Sequence, residues 1–158
     1  IGEYPIEAVS IMTDIIHDVE RSMVSKSNNN KSKIENDNRI AIGHSVELIS
    51  KCLKIHAIVV MSESGATARV VSHFRPNVDI YGLSPHIYIC NRMSLLWGIT
   101  PIQTKNYLST DDMLCNAEKI LLKKDYMKKG QTFVLTAGVP VGISGSTNML
   151  QIQKIKKN

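Results

Sequence analysis

The chain has 158 residues, 43% of them hydrophobic, and a formal net charge of +5, enough for one domain with a sizeable core. Its longest uncharged runs are broken short of the roughly 18 apolar residues that a membrane span needs, so no membrane association is expected. The positive charge gathers in Lys123, Lys124, Lys128 and Lys129 and in Lys154, Lys156 and Lys157, with few aromatics to stack on bases. That is the pattern of solvated faces rather than of a nucleic-acid groove, and a basic balance also suits anionic metabolites.

Apolar residues at Ile6, Val9, Met12, Ile15, Ile16, Val19 and Met23 recur at spacings of three and four, which predicts an amphipathic helix over Glu3 to Met23 with Pro5 in its first turn. Its position at the start of the chain predicts a preceding domain. Ser25 to Asn38 reads SKSNNNKSKIENDN, has almost nothing to bury, and is expected to be a flexible insertion. Ile40 to Leu53 resumes a helical pattern. Residues 1–24 are therefore read as a linking helix, 25–38 as the insertion and 39–158 as an α/β domain.

The most informative stretch follows. The β-branched run Ile58 to Met61 gives way to Ser62, Glu63, Ser64 and Gly65, then to helical spacing over Ala66 to Val71, so strand, tight turn and helix are predicted. A helix start presents unpaired backbone N–H groups to an anion, and the hydroxyls of Ser62, Ser64 and Thr67 surround this one. The structural alternative makes Ser64 the helix cap and Ser62 an acceptor for the turn. Neither GxGxxG nor GxxxxGK[ST] is present.

Beyond His73-Phe74-Arg75-Pro76, a strand is predicted at Val78 to Leu83, a helix from Pro85 to Trp97 ended by Gly98, and a strand at Ile99 to Gln103. Ser109 to Met127 reads as a long helix, with Thr110, Asp111 and Asp112 at its start and Gly130 as its stop. Thr132 to Thr136 is a fourth strand. Asn148 to Ile155 is a fifth, with Leu150 and Ile152 on one covered face and Ile155 out of step. Between them lies AGVPVGISGST, whose Gly138, Gly142, Ser144, Gly145, Ser146 and Thr147 make a second hydroxyl-rich loop. Parallel strands joined by helices bind ligands outside their carboxyl ends. Both loops leave such ends, and their convergence favours phosphate binding over simple capping.

Other chemistry finds less support. Gly142-Ile143-Ser144-Gly145-Ser146 is not the GxSxG of a nucleophile elbow, and none of the five histidines has the spacing to serve a nucleophile. Cys52, Cys90 and Cys115 lack zinc spacing and are expected to be reduced, buried thiols.

The ordered segments GEYPIEAV (Gly2 to Val9), IVVMSESGATARVVSHFRP (Ile58 to Pro76), LLWGITPI (Leu95 to Ile102), YMKKG (Tyr126 to Gly130) and TAGVPVGISGSTNML (Thr136 to Leu150) resemble the end of the barrel domain and the C-terminal domain of pyruvate kinase, with a closing loop of bacterial or plastid type. The resemblance implies a three-layer α/β/α fold with about five mostly parallel strands and an antiparallel last strand. It implies that phosphoryl transfer from phosphoenolpyruvate to ADP, with Mg and K ions, occurs in a barrel outside this chain. The chain itself would be non-catalytic and hold no cofactor. Its partners would be that barrel and the other copies in a homotetramer, in the cytoplasm or a plastid matrix.

By the same resemblance, Ser62, Ser64, Gly65, Ala66 and Thr67 match an effector-phosphate turn, and Gly142, Ile143, Ser144, Gly145, Ser146 and Thr147 match a lid loop. Two departures bear on the effector. Glu63 stands where fructose-bisphosphate-responsive relatives often carry lysine or another non-acidic residue, and the place of their second phosphate-clamping arginine falls near Met113. A sugar monophosphate or AMP, or no effector at all, is the expectation. The alternative from another class is a stand-alone phospho-metabolite sensor or assembly domain with no kinase attached.

Overall fold

A computed structural model describes residues 2–23, 37–140 and 147–156, which belong to two compact units, Ile1–Glu35 and Asn36–Asn158. Among the described residues, the first unit contains one helix, α1 (Pro5–Met23), as the three-and-four spacing of its apolar residues predicts. Most of the sequence read as an insertion, residues 25–36, lies outside the described residues. Its last two residues do not belong to it. Asp37 caps α2 (Asn38–Cys52) by accepting the Arg39 backbone N–H, so this helix starts two residues earlier than expected.

The rest of the second unit alternates strand and helix: β1 (Ala57–Met61), α3 (Ala66–His73), β2 (Asp79–Ser84), α4 (Ile87–Met93), β3 (Ile99–Gln103), α5 (Thr110–Lys123), β4 (Thr132–Gly138) and β5 (Thr147–Lys154). The strand order is β3-β2-β1-β4-β5. Every pairing is parallel except the last, in which β5 runs antiparallel to β4 with a register shift at Ala137/Gly138. The central strand β1 and its neighbours β2 and β4 bury both faces along most of their length, as parallel sheets covered by helices require. Ala57, Val59 and Met61 join Met113, Ala117 and Leu121 of α5 in one core. Ile58 and Val60 point the other way, into a core with Val46 of α2, Ala68 and Val71 of α3, and Ile89 and Met93 of α4. Helices on both faces make the three layers.

Several boundaries move for identifiable reasons. The helix expected over 85–97 spans Ile87–Met93. Beyond it, Leu95 and Leu96 donate to the carbonyls of Arg92 and Met93, an i to i−3 tightening that turns the chain before Gly98 at φ 68°. The helix expected to run to Met127 ends at Lys123 because Asp125 takes a left-handed conformation, φ 55°, and Tyr126 N–H reaches back to the Leu121 carbonyl. That six-to-one closure needs no glycine here, and Gly130 is not the stop. Its N-cap is Ser109, whose Oγ accepts the Asp112 N–H at 3.1 Å.

The last strand corrects the expectation of a single covered face. Met149 packs against the α5 core and Leu150 against the opposite one, whereas Ile152 is exposed. Ile155 is out of step because it lies past the strand, where its N–H and carbonyl pair with Gln131 and Gly130 and its side chain enters the α5 core. Of the three thiols, Cys90 is buried but Cys52 and Cys115 are exposed, contrary to expectation; all are free. Burial raises the Cys90 thiol pKa above its ordinary value.

Candidate phosphate-binding site at the carboxyl edge of the sheet

β1 and β4 are adjacent and parallel, in register from Ala57↔Phe133 to Val60↔Thr136. The turn after Met61 and the segment after Gly138 therefore leave the same edge. Ser62 continues the ladder of β1 by donating its N–H to the Leu83 carbonyl at 3.0 Å, and its Oγ accepts the Gly65 N–H at 2.9 Å. Ser62 is thus the turn acceptor that spacing suggested. Ser64 is not the cap: α3 starts from Gly65, at φ 80°, with no side-chain cap bond. Only glycine takes this left-handed corner without a steric penalty.

Thr67, in the first turn of α3, has its Oγ1 hydrogen-bonded to Oγ1 of Thr147, the first residue of β5. Both threonines are buried. The two loops singled out in the sequence are therefore joined by one side-chain contact 80 residues apart in the chain. Asn148 fastens the other end: its Oδ1 accepts the Val139 N–H at 2.8 Å and its Nδ2 donates to the Val139 carbonyl at 2.6 Å. Gly142, Ile143, Ser144, Gly145 and Ser146, expected as the lid, lie outside the described residues. Thr136, two residues before the end of β4, is fully buried, and its hydroxyl has no partner among the described residues.

Glu63 is not free to face the turn unopposed. Its Oε2 lies 3.0 Å from Nε2 of His86, in the loop before α4, which draws the carboxylate toward that helix. Met113 sits in the α5 core with only 2% of its surface exposed, so at this place the first turn of α5 presents an apolar side chain to the interior. Ala66 and Gly65 complete the turn beside α4.

Four residues near this edge carried no signal in the sequence: His86, Asn148, Arg69 and Arg92. The last two, with Arg39, border a pocket on the outer side of Ser64, Gly65 and Ala66. Each stands alone in its local sequence, and no spacing rule joins helices so far apart in the chain. Among the described residues, no three His, Cys, Asp or Glu side chains cluster to hold a metal ion, and no helix is long and apolar enough to cross a membrane.

The site so defined is the carboxyl edge of a doubly covered, mostly parallel sheet, the usual place for a small-molecule site in an open α/β domain. The family described as pyruvate kinase, alpha/beta domain, matches residues 40–153, and the chain belongs to it. It is 31% identical to pyruvate kinase 2 of Synechocystis over 156 residues, 99% of this chain and 26% of that protein. It is 35% identical to the pyruvate kinase of Staphylococcus aureus over 98% of this chain and 27% of the relative, and 31% identical to that of Clostridium acetobutylicum over 98% and 33%. The chain thus spans about a quarter to a third of the length of these bacterial relatives.

Proposed function

We propose that this chain is the regulatory and assembly part of a pyruvate kinase polypeptide, and that the turn Ser62 to Thr67 receives the phosphoryl group of a metabolite effector. The observation that carries the reading is the Thr67 contact with Thr147, because it ties the turn to the end of the glycine-rich segment 142–147. A ligand on the turn is then felt by the segment that would close over it.

In this reading the parent enzyme transfers a phosphoryl group from phosphoenolpyruvate to ADP in a barrel outside this chain, where the Mg and K ions belong. The chain itself turns nothing over and works in the compartment of the parent, the cytoplasm. Copies associate as a homotetramer, with β5 as an edge that pairs rather than remaining open. Regulation follows from linkage: the effector alters catalysis by the difference in its affinity for active and inactive assemblies.

The effector class is a monophosphate, either a sugar monophosphate or AMP. Glu63, though paired with His86, still sets a carboxylate beside the turn, and the start of α5 offers Thr110, Asp111, Asp112 and Met113 in place of a guanidinium for a second phosphate. The test is calorimetric titration of the chain with glucose 6-phosphate, ribose 5-phosphate, AMP and fructose 1,6-bisphosphate. One of the monophosphates is expected to bind, and Ser64→Asp to abolish that binding by placing a carboxylate on the phosphate's position. Tighter binding of the bisphosphate than of any monophosphate would overturn the effector assignment.

A further inference from the structure

We infer that the outer side of the same turn carries a second anion site, built by Arg69 and Arg92, that takes a phosphate monoester independently of the effector site on the inner side. The two sites share the backbone of the turn but no hydroxyl pair. Ser64, Gly65 and Ala66 line the outer pocket, whereas Ser62, Thr67 and Thr147 do not.

Three helices bring the charges together. Arg69 lies one turn beyond Gly65 on α3, and helical side chains cover the turn on the N-terminal side of their own Cα, which aims this guanidinium at the pocket. Arg92 comes from α4, whose Ile89 and Met93 pass 3.7 Å from where a Cβ on Gly65 would stand. Arg39 comes from the start of α2.

The charge is unbalanced. Among the described residues Asp37 is the only carboxylate on the pocket, and Arg39 consumes it in a fork, with Nη2 at 2.6 Å from Oδ2 and Nε at 3.1 Å from Oδ1. That pairing holds the Asp37 carboxyl below the usual carboxylate range. The guanidinium groups of Arg69 and Arg92 have no ion pair or hydrogen bond among the described residues. Two unpaired guanidiniums facing one pocket match a phosphomonoester, which carries between one and a half and two negative charges near neutral pH.

The remaining walls define the rest of the ligand. Ile40, Val70 and Leu96 are half-buried apolar neighbours of the arginines, and the cavity holds about 470 Å3, within the range of small-molecule sites. A bare phosphate ion would leave those walls wet. An ester with a planar or hydrocarbon body covers them.

The experiment follows the arginine side-chain Nε–Hε resonances of the full chain by NMR at 0.15 M salt, during titration with inorganic phosphate, AMP and adenosine. The Arg69 and Arg92 resonances are expected to shift with phosphate and more strongly with AMP, and not with adenosine. The double variant R69Q/R92Q is expected to weaken AMP binding at these resonances about tenfold or more, since two charge-assisted contacts are lost. Thr67→Val, on the inner side, is expected to leave it within about twofold. Both arginines are exposed and unpaired, so a thermal melt close to wild type will confirm that the double variant is folded.

Shifts confined to the Ser62 to Thr67 amides, lost in Thr67→Val and kept in R69Q/R92Q, would overturn this inference and leave the effector reading standing. Equal responses to phosphate and AMP would refute the ester class. No response from Arg69 and Arg92 to either ligand would end the proposal.

Discussion

Replacing Gly65 by alanine tests the corner on which both faces of the turn depend. The backbone there is at φ 80°, and an added Cβ would meet Ile89 Cγ2 and Met93 Cγ at 3.7 Å, an ordinary contact. Crowding therefore contributes little, and the cost is conformational. A residue with a Cβ in the left-handed region costs about 1–2 kcal/mol.

The alternative for alanine is to leave that region, but Gly65 N–H donates to Ser62 Oγ at 2.9 Å and its carbonyl accepts Arg69 N–H at 3.0 Å. Breaking either bond costs about 1 kcal/mol, so relaxation offers no cheaper route. For a unit of this size, about 4 °C in Tm corresponds to 1 kcal/mol. Gly65→Ala is expected to lower the midpoint by about 4–8 °C in a circular dichroism melt. Gly65→Asn, whose side chain tolerates this region, is expected to recover at least half of the loss. Equal losses for the two variants, or none for alanine, would refute the conformational account.

Gly43 makes the contrasting case. A Cβ there would stand 2.6 Å from the Phe74 ring and 2.8 Å from Val70 Cγ1, so Gly43→Ala is expected to separate α2 from α3. Overpacking by about 1–3 kcal/mol outweighs the roughly 1 kcal/mol that alanine gains as a helix former. A lowered urea midpoint checks it, and an unchanged or raised one argues against the close approach. Ser62→Ala leaves the Gly65 N–H without its acceptor and is expected to cost about 1 kcal/mol in the same denaturation.

Tyr81, buried against Tyr126 at 4.5 Å between ring centroids, has its pKa pushed up to about 12, first by burial and then by Asp79. A raised folded-state pKa means that this contribution to stability is complete below about pH 10 and lost as pH rises toward 12. Ultraviolet titration at the phenolate band is expected to show a tyrosine ionising near 12 that disappears in Tyr81→Phe. A phenol titrating normally in its place would contradict the burial effect.

The sequence by itself determined the alternation of strand and helix, the turn at Ser62 to Gly65 and the family. Those features are local: a β-branched run, a glycine at a corner and ordered motifs need no distant partner to be recognised. It was less reliable where ends depend on long-range bonds. Asp125 stops α5 by turning left-handed so that Tyr126 N–H reaches back to Leu121, and Ile155 is out of step because Gly130 and Gln131 bind it, neither of which is visible in a periodicity.

The candidate site divides in the same way. Its hydroxyls were legible because they cluster in the chain. Their roles were decided by tertiary structure: Ser62 serves the turn, Gly65 takes the cap position, Thr67 meets Thr147 and Glu63 turns to His86. The arginines were invisible for the opposite reason. Arg39, Arg69 and Arg92 belong to three helices packed on one face of the sheet, and only that packing gathers the two unpaired guanidiniums of Arg69 and Arg92 beside Ser64.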